Sequence, residues 1–171
     1  MNRYYLYKSI SFFIYLFAQV LIFDKIVIFG TAHSIIYIAF LLTLPIELAI
    51  IPSMLIGFAL GLGIDAFNNT FGIHAAASII LMYLRPTILS WLTPQGGYPT
   101  GVIPRPNIFG IGWFTSYALP LVFIHLLIVF YVEAGGFDLF WHTLLEVVAS
   151  TIYSYLLIVI IQYTFFTKSR K

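Results

Sequence analysis

Long apolar runs separated by short polar clusters dominate the pattern of the chain. Runs of this length favour membrane-spanning helices, which need about 20 residues to cross a bilayer. We predict six transmembrane helices, over 9–23, 35–51, 53–67, 73–84, 111–132 and 139–166. The alternation of apolar and polar residues that membrane strands require is missing, so continuous helices must satisfy the backbone. The sequence therefore predicts an all-α integral membrane protein, a single six-helix transmembrane domain over 1–171.

Prolines define the ends of two of these predicted helices. Pro52 ends the second helix, because proline cannot continue a helix without a kink. The fourth helix either ends at 84, before Arg85-Pro86, or kinks at Pro86 and continues to 92. The segment 93–110 is rich in proline and glycine and is predicted to be a loop.

The composition makes lipid the solvent of these helices. Of the 171 residues, 61% are hydrophobic and only 8% are charged, with a mean hydropathy of +1.02. A globular protein carries about 25% charged residues. The absence of cysteine excludes a disulfide scaffold, and the net charge of +2 gives no basis for binding nucleic acid.

The basic residues predict the orientation, because Lys and Arg near the ends of spans are retained in the cytoplasm. With both termini and loop 93–110 inside, seven of the eight basic residues are cytoplasmic: Arg3, Lys8, Arg85, Arg105, Lys168, Arg170 and Lys171. Only Lys25 then lies outside. A basic start before an apolar run also describes a signal peptide. No small-x-small cleavage site follows Phe23, so we expect an uncleaved first helix.

The third predicted helix carries a face almost without side chains. Gly57, Gly61 and Asp65 are four residues apart and share one helix face, and Gly63 lies beside them. Small residues let helix backbones approach closely in lipid. Such a face packs inside the bundle, docks a partner's helix, or walls a substrate cavity. Asp65 itself is either a functional group of the span or a hydrated end residue bonded to the turn 68–70.

Glu47 lies inside the second predicted helix, about one turn from its cytoplasmic end. Arg85 is at the same level of the membrane on the fourth helix. Isolated charges in a span are costly and usually paired. We therefore expect a structural ion pair between Glu47 and Arg85 that connects these two helices.

Three polar residues are candidates for a site on the outer side: His74, His142 and Glu146. His142 and Glu146 are four apart, the spacing that places two ligands on one helix face. A catalytic zinc needs three protein ligands, and the H-E-x-x-H pattern is missing, so no metal is predicted. No serine or threonine is paired with a plausible base and no phosphate-binding loop is present, so we expect neither an enzyme nor a cofactor.

The segment from Pro45 to Pro86 resembles the rod shape-determining protein MreD family. The features that carry the resemblance are Leu44-Pro45, Gly57-x-x-x-Gly61-x-x-x-Asp65, the turn Asn69-Thr70-Phe71-Gly72 before His74-Ala-Ala-Ala, and Tyr83-Leu84-Arg85-Pro86. The resemblance extends over nearly the whole chain in length and layout, and its specific motifs lie within this segment.

The resemblance implies a non-enzymatic subunit of the cell-elongation machinery in the bacterial inner membrane. MreD-like proteins bind an MreC-like scaffold and act with an MreB-like filament, a RodA-like glycosyltransferase and its partner transpeptidase. Their shared process is sidewall peptidoglycan synthesis, which determines cell shape. In the same reading, the basic loop and tail meet membrane lipid headgroups or cytoplasmic partners.

The family also resembles, in fold, the substrate-binding subunits of ECF-type vitamin transporters, which implies an alternative function. In that alternative, the protein is a small-solute-binding subunit. Asp65, His74 and Glu146 would line an outward cavity closed by the turn 65–73.

Overall fold

The computed structural model describes residues 3–28 and 30–166, apart from the side chains of 3–5 and 166, and most of these residues are helical. The elements are α1 (Arg3–Leu21), a 3-10 turn (Phe23–Lys25), strands β1 (Val27–Ile28) and β2 (Ala32–His33), and helices α2 (Ile38–Leu42), α3 (Ile50–Asn68), α4 (Ile73–Trp91), α5 (Pro106–Phe109), α6 (Ile111–Glu133) and α7 (Phe140–Phe166). In this part of the chain, five helices are long and apolar enough to cross a membrane, namely α1, α3, α4, α6 and α7. The chain is thus a mainly helical, multi-pass membrane protein.

The second predicted helix is wrong as a continuous element. The segment 35–51 contains the five-residue helix α2 between stretches of non-helical backbone. Pro45 supplies no N–H group and disfavours helical geometry at Leu44, so α2 cannot continue there. Every residue from 35 to 44 is buried. Irregular backbone is tolerated at membrane depth when protein surrounds it.

Gln19 on α1 supplies hydrogen-bond partners to the backbone at the start of this irregular segment. Its Oε1 accepts hydrogen bonds from the backbone N–H groups of Ile36, at 2.7 Å, and Tyr37, at 3.3 Å. Its Nε2 donates to the carbonyl oxygen of Ser34 at 2.8 Å. The side chain is 1% exposed, so it replaces the helical partners that the backbone lacks.

Two serines of α7 satisfy the other side. Ser150 Oγ accepts from the N–H of His33 and Ser154 Oγ from the N–H of Ile35, each at 2.9 Å. Both serines are fully buried and one helical turn apart. Side chains of α1 and α7 therefore hold the non-helical start of the segment, and backbone hydrogen bonds hold the part around α2.

The glycine face packs inside the chain, against α4. A Cβ atom on Gly61 would lie 2.5 Å from the carbonyl oxygen of His74, and one on Gly57 would lie 3.0 Å from that of Ser78. The two backbones are thus in direct contact. Gly63 faces the Leu16 side chain of α1 instead. The space along this face is filled by α4 and α1, so a partner helix cannot occupy it.

Prolines occur within three long helices, at Pro52 in α3, Pro86 in α4 and Pro120 in α6. Helix α4 continues through Pro86 to Trp91, which settles the two alternatives for its end. Pro52 does not end the preceding element but lies in the first turn of α3, where the missing N–H needs no partner.

Charged residues separate between the two ends of the bundle. Lys8, Arg85 and Arg105 lie at one end, where Lys8 donates to the carbonyl of Thr43 and lines a cavity together with Arg105. We call it the basic end. Asp24, Asp65, Glu133 and Glu146 lie at the opposite, acidic end, together with Lys25. Lys168, Arg170, Lys171 and the side chain of Arg3 lie outside the described residues.

Candidate functional site

Asp65 caps the helix that follows it. The carboxylate is 4% exposed and receives the backbone N–H groups of His74, at 3.0 Å, and Ala75, at 2.9 Å. These are donors of the first turn of α4, which have no partner within the helix. The hydroxyl of Thr70 donates to the same carboxylate. Asp65 therefore closes the α3–α4 hairpin and does not project into open space.

His74 connects this junction to a row of buried rings. Its Nδ1 lies 3.1 Å from Asp65 Oδ1, which fixes the ring beside the carboxylate. On the inner side, the ring is 6.1 Å from that of Tyr37 between centroids. The Tyr37 hydroxyl in turn bonds Nε2 of the fully buried His125 at 2.7 Å. His125 thus serves to hold the irregular segment against α6.

A cavity of about 580 Å³ opens at the acidic end. Its walls come from the 3-10 turn after α1, from β2 and the residues that follow it, from the α3–α4 hairpin, and from α6 and α7. The polar residues that line it are Asp24, His33, Ser34, Asn68, Thr70, His74, Glu133 and Glu146. Because three carboxylates line it, the cavity is suited to a cationic or strongly hydrogen-bonding group.

The structure divides the three outer-side candidates. His74 and Glu146 both line the cavity, although they are far apart in sequence. His142 is largely exposed and does not belong to the wall, but its Nδ1 lies 3.6 Å from Glu146 Oε1. Asp65 lies behind the wall, bonded to His74.

Asp24, His33 and Glu133 were not selected from the sequence as site residues. Asp24 lies in the 3-10 turn after α1, His33 ends β2 and Glu133 ends α6. The one sequence feature that these three residues share is their position at the acidic end of the bundle. Within residues 3–28 and 30–166, no three His, Asp or Glu side chains are grouped so that they could hold a metal ion.

The predicted ion pair between Glu47 and Arg85 is wrong. Glu47 is exposed on the turn after α2, whereas Arg85 is 1% exposed. Arg85 donates instead to the carbonyl oxygens of Leu44 and Pro45 and, through Nε, to the hydroxyl of Tyr117 at 2.8 Å. The reason is the irregular backbone, because the early end of α2 leaves carbonyl groups without helical donors. Neutral dipoles therefore hold the guanidinium in place of a carboxylate.

Comparison with known proteins identifies no relative of the chain. No family model, curated protein or solved structure significantly matches the chain. The fold and the cavity define a class, that of compact multi-pass helical membrane proteins with one irregular buried segment.

Proposed function

We propose that the protein is a non-enzymatic membrane subunit of a rod-shape, cell-elongation machinery, of the MreD kind. Its role would be to bind an MreC-like scaffold. Through that scaffold it would support sidewall peptidoglycan synthesis by a RodA-like glycosyltransferase and its transpeptidase, and act indirectly with an MreB-like filament. The observation that carries the proposal is the contact network among the residues of the resemblance.

These residues bind one another. The guanidinium of Arg85 donates hydrogen bonds to the carbonyl oxygens of Leu44 and Pro45, so the first and last of the motifs contact each other. The glycine motif of α3 packs on the backbone of His74-Ala75, and Asp65 caps the same two residues. Short motifs that recur by chance are not expected to contact one another across three elements. Their convergence supports the interpretation that they are the framework of a family fold.

Hydrogen bonds at the two ends of the irregular segment support a six-crossing topology. The irregular segment begins at the acidic end, directly after Ser34, which accepts a hydrogen bond from Gln19 and donates one to Phe23. It reaches the basic end at Thr43, which accepts a hydrogen bond from Lys8. We therefore count it as a crossing alongside the five long helices. In the bacterial inner membrane, the basic end would face the cytoplasm together with both termini.

The filled glycine face changes where a scaffold would dock. Because α4 occupies that face, an MreC-like partner is left with the lipid-facing sides of the helices and the loops at the two ends. Both kinds of surface carry exposed apolar side chains, such as Phe71 on the α3–α4 turn and Trp141 at the start of α7.

Depletion of the protein in a rod-shaped cell that carries it tests the proposal. We expect rounding of the cells and loss of lateral wall synthesis, and an MreC-like scaffold that co-purifies with the tagged chain. Re-expression of the wild type should restore rods. Cells that stay rod-shaped after depletion, or a tagged chain that never retains the scaffold, would contradict the proposal.

The cavity at the acidic end favours a second candidate, a small-solute-binding subunit of a transporter. Its three carboxylates favour a cationic solute. Native mass spectrometry after purification in mild detergent would detect a retained small molecule. Its loss in Glu146→Gln, with Asp138→Asn as the exposed control, would support this candidate, and an empty wild-type protein would speak against it.

A further inference from the structure

Two cavities at the basic end meet at the same two residues. One has a volume of about 330 Å³ and polar walls that include Tyr7, Lys8, Tyr15 and Arg105. The other is an apolar groove of about 420 Å³ between α1 and α3. Lys8 and Phe40 line both. A polar pocket thus lies next to an apolar groove, and the two share the side chains of Lys8 and Phe40.

The polar pocket is rich in positive charge. Lys8 and Arg105 line it, and Lys8 lies within electrostatic range of Arg105 and of Arg85. In the described chain, no carboxylate lies within ion-pair distance of Lys8. Lys8 donates one hydrogen bond, to the carbonyl of Thr43 at 2.8 Å, and an ammonium group has three donors. Lys8 therefore retains donors for an anion and lies beside a second basic side chain, that of Arg105.

The groove is shaped by side chains that suit a hydrocarbon chain. Leu16 of α1 contacts α3 at Gly63, but nearer the basic end the two helices leave a gap. Its walls are Phe12 and Phe13 on α1 and Leu55, Ile56 and Ala59 on α3. At its inner side, the ring of Phe12 packs edge-on against that of Phe40, with 5.7 Å between centroids.

We propose that these two cavities form one binding site for an anionic membrane phospholipid. The phosphate would lie between Lys8 and Arg105, and one acyl chain would follow the groove past Ala59. Charge complementarity identifies the occupant, because a cationic pocket beside an apolar groove at the basic end matches a phosphate bonded to a hydrocarbon chain. The site lies at the opposite end from the acidic cavity and does not depend on the function proposed above.

The full chain in nanodiscs tests the site, with phosphatidylglycerol compared against phosphatidylcholine of the same acyl chains. Native mass spectrometry of released protein measures how much of each lipid it retains. We expect the wild type to prefer phosphatidylglycerol. Lys8→Gln and Arg105→Gln should each reduce that preference about fivefold, as expected for one basic residue near a lipid phosphate.

Lys25→Gln is the matched control, because it removes a cation at the acidic end and should leave the preference unchanged. A double variant, Lys8→Gln with Arg105→Gln, that folds and keeps the wild-type preference would overturn the proposal.

A second variant tests the groove independently of charge. Ala59 is exposed to the groove, so Ala59→Phe should fill it and displace the acyl chain. Ala66→Phe, on the exposed surface of the same helix, is the control. We expect Ala59→Phe to reduce phosphatidylglycerol retention at least fivefold and Ala66→Phe to leave it unchanged.

Soluble glycerol phosphate separates the lipid from its headgroup. If it competes as well as the lipid, and Ala59→Phe has no effect, the site binds phosphate alone and the lipid proposal fails. If the charge variants do not fold, the comparison of Ala59→Phe with Ala66→Phe decides the question by itself.

Discussion

The carboxylate of Asp65 binds the backbone N–H group of Ala75, ten residues further along the chain, at 2.9 Å. That bond, with the equivalent one to His74, joins the last turn of α3 to the first turn of α4. An ionisable residue in a span is a functional hypothesis by default. Here its charge is used to close a helical hairpin, and the neighbouring His74 is the residue that reaches the cavity.

Asp65→Ala should therefore destabilise the protein. The substitution leaves two buried N–H groups without an acceptor, at a cost of about 1–3 kcal/mol each. We expect a loss of about 3 kcal/mol in the free energy of unfolding, measured by denaturant titration in mixed micelles. Asp138→Ala, at an exposed position, is the control and should change little. Equal stability of the two variants would contradict the capping role.

Gly61→Ala should destabilise through a backbone clash. The added Cβ would meet the carbonyl oxygen of His74 and Cα of Ala75 at 2.5 Å, and no side-chain rotation relieves backbone contacts. We expect a loss of about 1–3 kcal/mol, as for overpacking in other interiors.

Gly112→Ala is the matched control for this substitution. Gly112 lies in α6 with open space around its Cα, so alanine should be neutral or stabilise by up to about 1 kcal/mol through helix propensity. If Gly61→Leu retains full stability yet loses a scaffold, the face docks a partner and the packing described here is wrong.

Arg85 and Glu47 should respond unequally to substitution. Arg85→Met leaves the carbonyls of Leu44 and Pro45 and the hydroxyl of Tyr117 without their donor, so we expect a loss of about 2–3 kcal/mol. Arg85→Lys should rescue only partly, because an ammonium group lacks the planar fork. Glu47→Gln should leave the unfolding free energy unchanged. Equal losses of unfolding free energy in Arg85→Met and Glu47→Gln would contradict this arrangement and support an ion pair between the two residues.

Gln19→Leu should loosen the irregular segment specifically. It removes the acceptor for the N–H groups of Ile36 and Tyr37 and the donor to Ser34. Hydrogen exchange followed by mass spectrometry should show faster exchange of a peptide containing Ile36 and Tyr37, while α3 and α4 keep their protection. Gln95→Leu, in an exposed loop, is the control. Unchanged exchange in the Gln19 variant would contradict the bracing role.

Single cysteines test the topology, since the natural chain has none. Val27→Cys and Phe137→Cys mark the acidic end, and Glu47→Cys and Gln95→Cys mark the basic end. An impermeant thiol reagent should label the first pair in cells whose inner membrane is intact, and the second pair only after lysis. Labelling of Glu47→Cys in intact cells would exclude a crossing by the irregular segment.

Much of the fold is readable from hydropathy, because five apolar runs are long enough to form spanning helices whatever their partners. The segment 35–51 is also strongly apolar but has a different structure. Its conformation depends on Gln19, Ser150 and Ser154, which are single polar residues within other apolar helices and give no local signal.

The residues of the candidate site were also predictable only in part. His74 and Glu146 are conspicuous as polar residues near span ends, and both line the cavity. The partners of Arg85 could not be anticipated, because carbonyl groups are present at every residue and become acceptors only where a helix stops. A sequence search for a carboxylate therefore selects Glu47, which the irregular backbone places at the surface.

The irregular segment also has a consequence for biogenesis. The native hydrogen bonds come partly from α7, which is synthesised more than one hundred residues later. The N–H groups of His33 and Ile35 therefore gain their native acceptors only after the last helix has been made.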